Sequence, residues 1–230
     1  MTITITSLLS PASDHRVVRL VDDLTAGGLH AGFVDGTWEE RHRAVVDGRV
    51  DATWVCGLLH VDLQATSDWP LQVVAAPRSE TSPHAPEYFG RIVVAAGSSI
   101  ERFEDLRGCS FAFNEPASLS GYRMMLDHLH QMGADLGFFA RTVASGSHLE
   151  SIRLVSSGEV DCAIIDSMVI DDVSPPGVRV VEKVGPYPAP PLVARPSVAP
   201  ILAEAAPTAG WAAMTESAYD RLRRPPHTAR

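Results

Sequence analysis

Val45-x-x-Gly48-x-Val50-Asp51-Ala52 recurs as Val155-x-x-Gly158-x-Val160-Asp161-Cys162, and this echo decides how the chain is read. In each copy an apolar helix ends at a glycine able to take the left-handed C-cap conformation, and a strand starts within a few residues. One helix-to-strand device used once per lobe accounts for the pair; a chance recurrence of a common helix-glycine-strand pattern accounts for it too. Around the two copies, β-rich runs alternate with helical stretches, which favours an α/β architecture over a sandwich or a bundle. Strands are expected over 2–7, 31–34, 52–55, 71–75, 91–95, 110–113, 163–165 and 178–181, and helices over 14–26, 38–47, 120–132, 149–156 and a C-terminal stretch around 201–223. Proline-rich breaks at Pro175-Pro176 and from Pro186 to Pro191 read as turns and a crossing segment. With two α/β lobes, the ligand cleft is expected between them, at the carboxyl ends of the strands, with the chemistry in the loops that follow.

Composition narrows the function classes. The 230 residues carry 28 acidic and 19 basic side chains, a net charge of −9, and 45% of the chain is hydrophobic against 20% charged. A chain of this kind buries a core and is neither disordered nor collagen-like. Its basic residues are scattered, and all but Lys183 are arginines suited to planar pairing with carboxylate or phosphate. That scatter argues against a nucleic-acid partner, which needs a clustered cationic face. Cys56, Cys109 and Cys162 are widely spaced, with no paired C-x-x-C, so a reducing compartment is the simpler reading. The first ten residues alternate like a strand and lack a basic region followed by a long apolar one. Nor is there a run of about 18 apolar residues that would span a bilayer. The expectation is a chain without a transmembrane segment, cytoplasmic as written, and periplasmic or otherwise extracytoplasmic if a leader has been removed.

No cofactor and no metal are expected. His128 and His130 stand roughly 200° apart around a helix, unable to share one ion. No phosphate-binding P-loop, dinucleotide glycine fingerprint or Gly-x-Ser-x-Gly elbow is present.

Three segments carry candidate chemistry. In Ser110-Phe-Ala-Phe-Asn-Glu-Pro-Ala-Ser-Leu-Ser-Gly-Tyr122 a strand runs into a loop that opens a helix. Ser118 and Ser120 stand at its first turn, where free amides and the positive end of the helix dipole favour an anion. An ordinary serine N-cap satisfies the same pattern, and Glu115 opposes a strongly anionic ligand unless it points away or is protonated. In Ser145-Gly-Ser-His148, a second small-residue loop, His148 is either a donor to an oxyanion or a solvated cap. Asp166 ends an apolar strand, to contact ligand or to cap the next helix.

Taken in order, Asp105-Leu-Arg-Gly108, the run from Phe113 to Tyr122, Gly146-Ser-His148 and Gly158-x-Val-Asp-x-Ala-Ile-Ile-Asp166 resemble phosphonate-binding proteins of the PhnD type. These are the solute receptors of phosphate, phosphite and phosphonate ABC transporters. The resemblance runs from about Trp38 to Val193. It implies a two-lobed type II periplasmic-binding-protein fold, with residues 1–94 and 187–230 in one lobe and 95–186 in the other. Hinges would lie near Val94 to Gly97 and Gly185 to Pro191. It assigns Ser118 and Ser120 as oxyanion-gripping hydroxyls and His148 as a donor. Leu119 replaces a threonine, keeping only the backbone amide, and Trp38 and Tyr88 fall at aromatic positions of the first lobe's side of the cleft. Trp54 and Asp166 are added as candidate ligand-binding residues beside those the resemblance implies. Where aminoalkylphosphonate receptors place carboxylates for an ammonium group, this chain has Met168 and Pro190, so 2-aminoethylphosphonate is not the expected ligand. Trp54-Val-Cys56-Gly-Leu-Leu-His60 resembles a C-G-L-P-Y turn of leaderless relatives, with Leu59 and His60 in place of proline and tyrosine.

The expected function is binding of a small oxyanion of the phosphate, phosphite or phosphonate class, with an ABC permease as partner if the chain is exported. The alternative is a cytoplasmic enzyme of the same fold acting on a small anionic metabolite. Its candidate catalytic residues are Cys56, Glu115, His148 and Asp166, since a thiolate beside a base can act as a nucleophile. A ligand sensor that passes closure to a partner protein is a third reading.

Overall fold

The computed structural model describes residues 2–78 and 85–223, which fall into two compact units. The chain leaves the first unit at Glu87, forms the second over Tyr88–Tyr187 and returns to the first at Pro188.

In chain order the first unit opens with β1 (Ile3–Ser7), α1 (Asp14–Ala26), β2 (Ala31–Phe33), α2 (Trp38–Val46), β3 (Ala52–Trp54), α3 (Gly57–Thr66) and β4 (Gln72–Pro77). The second holds β5 (Glu87–Ala95), β6 (Ser110–Phe113), α4 (Met124–Gln131), β7 (Arg141–Ala144), α5 (His148–Ser156), β8 (Cys162–Asp166), α6 (Ser167–Val173) and β9 (Val178–Pro188). The returning chain adds β10 (Leu192–Ala194), α7 (Ala199–Ala205) and β11 (Trp211–Ala213).

The local reasons are readable in the residues. Helix α1 buries Val17, Leu20, Val21 and Leu24, the spacing of one helical face. Helix α2 starts at a capping box: Glu40 N donates to Thr37 Oγ1 at 3.2 Å, and Thr37 N donates to Glu40 Oε2 at 2.8 Å.

Among the described residues the first sheet has the order β11-β4-β10-β3-β1-β2, and the second β7-β6-β8-β5-β9. Each is built on the same kernel. In the first, β1 lies parallel to β2 and β3, and β10 runs antiparallel along β3. In the second, β6 lies parallel to β7 and β8, and β5 runs antiparallel along β8. Parallel strands need helical crossovers, and α1 with α2, and α4 with α5, supply them.

The repeated motif is the helix-to-strand passage into this kernel's third strand in both units. Gly48 and Gly158 have φ of 77° and 75°, in the left-handed region that favours glycine. Arg49 N donates to Ala44 O at 2.9 Å, and Glu159 N to Leu154 O at 3.0 Å, closing the two helices identically. The aspartates that follow also match. Asp51 Oδ2 accepts from Thr4 N and Thr4 Oγ1, both at 2.8 Å. Asp161 Oδ2 accepts from Ser110 N and Ser110 Oγ, both at 2.7 Å. Each carboxylate therefore ties the incoming third strand to the start of the first.

Three expectations change. The first division lies at Glu87/Tyr88 instead of Val94/Ala95, because β5 is paired along β8 from Gly90↔Asp166 to Val94↔Cys162 and so belongs to the second sheet. The second lies at Tyr187/Pro188, since β9, an edge strand, continues into the proline-rich segment as far as Pro188. The C-terminal stretch is not one helix. Pro207 confines the chain after α7 to a short 3-10 turn, Gly210 at φ 79° reverses it, and β11 pairs antiparallel with β4 before a 3-10 segment over Glu216–Arg223.

Candidate ligand-binding site

All three polar groups at the heart of the candidate site come from connections that follow parallel strands of the second unit. Ser120 follows β6, His148 follows β7, and Asp166 ends β8. The first two loops are pinned side by side beyond the strands. Ser145 N and Ser145 Oγ both donate to Phe113 O, at 2.8 and 3.0 Å, and Gly146 N donates to Asn114 O at 2.9 Å.

The segment between β6 and α4 is a helix start of unusual width. Ser118 Oγ accepts from Gly121 N at 3.0 Å, and Arg123 N donates back to Ser118 O at 3.0 Å, closing a π turn over Leu119–Arg123 that runs into α4. Gly121 is required here: a Cβ would lie 2.6 Å from Asn114 Cγ and 2.8 Å from Ser118 Oγ. Leu119 is fully buried, so its side chain serves the core and its backbone faces the helix start. The first-turn amides of Leu119 and Ser120 have no helical carbonyl to reach.

Ser120 Oγ lies 3.2 Å from His148 Nε2 and donates to Asp166 Oδ2 at 3.2 Å. Asp166 Oδ1 accepts from Met168 N at 2.8 Å, capping α6. A carboxylate only accepts, so Ser120 gives its single proton to Asp166 and takes one from His148 Nε2–H. His148 is then the neutral imidazole with a bare Nδ1. Burial, which disfavours its charged form, agrees and brings its pKa down to about 4. Among the described residues, buried His148 Nδ1 and Asn114 Oδ1 have no hydrogen-bond partner. A nucleophile relay would need the carboxylate on His148 Nδ1, and here it is on the serine.

The other sequence candidates are placed as follows. Glu115 is exposed and outside this trio. Cys56 is a half-buried residue of the first unit, at the N-terminus of α3. Trp54 is fully buried there, donating to Pro190 O at 2.8 Å and packed edge-on against Trp211. Tyr88 is buried at the start of the second unit. Trp38 is 45% exposed, its indole N–H held by Leu8 O at 3.1 Å and its ring stacked on His42. His60 is internal: Trp69 Nε1 donates to its Nδ1, and its Nε2 bonds Glu216. Sequence reasoning passed over Asn114 and Gly121. A polar residue at a strand tip, with a glycine inside a helix start, was the available signal.

The family model of the periplasmic substrate-binding protein of phosphonate ABC transporters matches residues 31–209, well over half of the chain. The chain belongs to this family. No curated protein matches this family member in sequence. Its fold is that of a binding-protein component of the phosphonate ABC transporter of Pseudomonas aeruginosa, with TM-score 0.73 at 16% identity over 96% of this chain and 84% of that one. PhnD1 of Prochlorococcus marinus in complex with methylphosphonate gives TM-score 0.73 at 15% identity, covering 96% and 95% of the two chains. The aliphatic sulphonate binding protein SsuA of Escherichia coli gives TM-score 0.61 at 19% identity, over 87% and 63%. The two units are thus the two lobes of a periplasmic-binding-protein fold. Among the described residues no helix is long and apolar enough to cross a membrane.

Proposed function

We propose that this protein is a solute receptor that holds a small tetrahedral oxyanion, of the phosphate, phosphite or phosphonate class, on the second lobe. Ser118, Ser120, the amides of the π turn and His148 form the grip, the Ser120 Oγ–H and His148 Nε2–H turning from their partners in the ligand-free protein to the anion. The observation that carries this is the convergence of Ser120, His148 and Asp166 from three successive strand-to-helix connections at one buried point. Open α/β sheets bind ligands at that end of their strands, and an emerging helix start stabilises an anion there. Of the three aromatic candidates, Trp38 is the exposed one. An ABC permease is the partner that follows from the family.

A thermal-shift panel of phosphate, phosphite and methylphosphonate tests this. A ligand at 100 times its Kd adds about 2.7 kcal/mol, or a rise of roughly 5–10 °C for a chain of this size. Ser120→Ala and His148→Ala should lose that rise. If no phosphorus oxyanion stabilises the wild type, the reading is wrong.

A further inference from the structure

His60 is fully buried in the first unit and takes no part in the proposed grip. Both of its ring nitrogens are engaged. Trp69, half-buried on the turn between α3 and β4, donates its indole Nε1–H to His60 Nδ1 at 3.1 Å. An indole N–H can only donate, so Nδ1 is bare and the proton of the neutral ring sits on Nε2. From there it is donated to Glu216 Oε2 at 3.1 Å. Glu216 opens the 3-10 segment Glu216–Arg223, and its carboxylate also accepts from Val73 N of β4 at 2.9 Å and from Gln64 Nε2 of α3 at 3.2 Å. One neutral ring therefore joins the turn after α3 to the C-terminal segment.

A second proton acts oppositely on the two sides of this ring. Towards Glu216 the Nε2–H becomes a charge-assisted donor and holds more tightly. Towards Trp69 a new Nδ1–H points at the indole N–H, two donors with no acceptor between them, and the indole has to leave. The charged and titratable groups on the packed elements are these. Tyr219 of the 3-10 segment stands edge-on to the ring and donates its hydroxyl to Ala189 O at 2.6 Å. Arg223 lies 3.7 Å from Glu216 Oε2, with Asp220 3.3 Å from its own Nε. Helix α3 adds Cys56, whose carbonyl takes the His60 amide, and the exposed Asp62, and the turn adds the exposed Asp68. Burial, with the like charge of Arg223, holds the His60 pKa below its ordinary 6.5 against the pull of Glu216, which leaves the ring neutral at pH 7.

We propose that His60 and Trp69 form a proton-operated latch, in which protonation of the buried ring expels the Trp69 indole and opens the turn between α3 and β4 while Glu216 keeps the C-terminal segment in place. The latch is built from the first unit alone, so it works whichever ligand the second lobe takes. The proton passes from solvent to Nδ1, and no covalent bond between heavy atoms changes. Because the folded ring holds this proton less tightly than the unfolded chain does, the closed latch contributes its full stability above about pH 6.5 and loses it as the pH falls below that value.

Nuclear magnetic resonance of the side-chain nitrogens of the full chain, from pH 8 down to the onset of global unfolding, tests this. The Trp69 indole signal, assigned by its loss in Trp69→Phe, should shift and exchange faster with solvent in step with the arrival of a proton on His60 Nδ1, at a midpoint below pH 6.5. Above that midpoint the opened population should grow about tenfold for each unit that the pH falls. In Trp69→Phe protonation no longer breaks a bond, so His60 should titrate about 0.5–1 unit higher, the worth of one hydrogen bond. An unchanged midpoint there would mean that the pair serves packing alone and would overturn the latch. His60→Gln, which does not titrate, should leave the indole signal fixed across the range. The wild-type titration decides the matter even if a variant fails to fold. An indole signal that stays put while His60 gains its proton, or a ring that stays neutral until the whole chain unfolds, would overturn the latch as well.

Discussion

His148 is neutral because it is buried, and that sets its behaviour with pH. Its pKa stands at about 4 against an ordinary value of 6.5. The unfolded chain therefore binds a proton first, so the stability linked to this residue is complete above about pH 6.5 and is lost as the pH falls towards 4. The amount is about 3 kcal/mol at full extent. Urea unfolding at pH 7 and again near pH 4 should show wild type losing that much more stability than His148→Asn. Nitrogen chemical shifts should show Nε2 carrying the proton at neutral pH. Ser118, Ser120, His148 and Asp166 were legible in the sequence because each follows a strand pattern and opens a helix pattern. Asn114 and Gly121 were not, because their role is a side chain packed where a Cβ would stand 2.6 Å from its neighbour, a distance set by the wide turn itself.

At the scale of elements, the doubled helix-glycine-strand motif is the most predictive feature of the chain. Gly158 holds φ 75° with open space around a Cβ, so Gly158→Ala pays backbone strain and no clash. A loss of about 1–2 kcal/mol in chemical denaturation is expected, the cost of a left-handed alanine. A neutral result would mean that the connection relaxes out of the left-handed region. The limits of α1 and β6 were readable from hydrophobic spacing, whereas the C-terminal stretch was not. Its apolar residues fit a helix, but Pro207 and Gly210 interrupt the backbone, and β4 offers an edge that pairs with Trp211–Ala213. Edge pairing depends on what lies beside a segment in space, and local periodicity carries no record of it.

At the scale of the whole molecule, ligand choice is argued from the side chains that each unit holds at the positions in question. Met168 is buried with its amide on Asp166, and Pro190 is buried with its carbonyl on the Trp54 indole, so neither side chain can receive an ammonium group. Calorimetry should find 2-aminoethylphosphonate bound more weakly than methylphosphonate, and the reverse order would refute this assignment. By itself the sequence determined the α/β class and the doubled kernel, and it singled out the residues proposed for the grip, because hydrophobic period, glycine conformation and helix starts are local properties that neighbouring residues encode. Tertiary structure alone decided where the chain passes between units, since β5 joins whichever sheet offers it a partner strand. It alone also decided that Ser120 links His148 to Asp166. Those three residues are far apart along the chain, and the direction of each proton depends on all three meeting away from water.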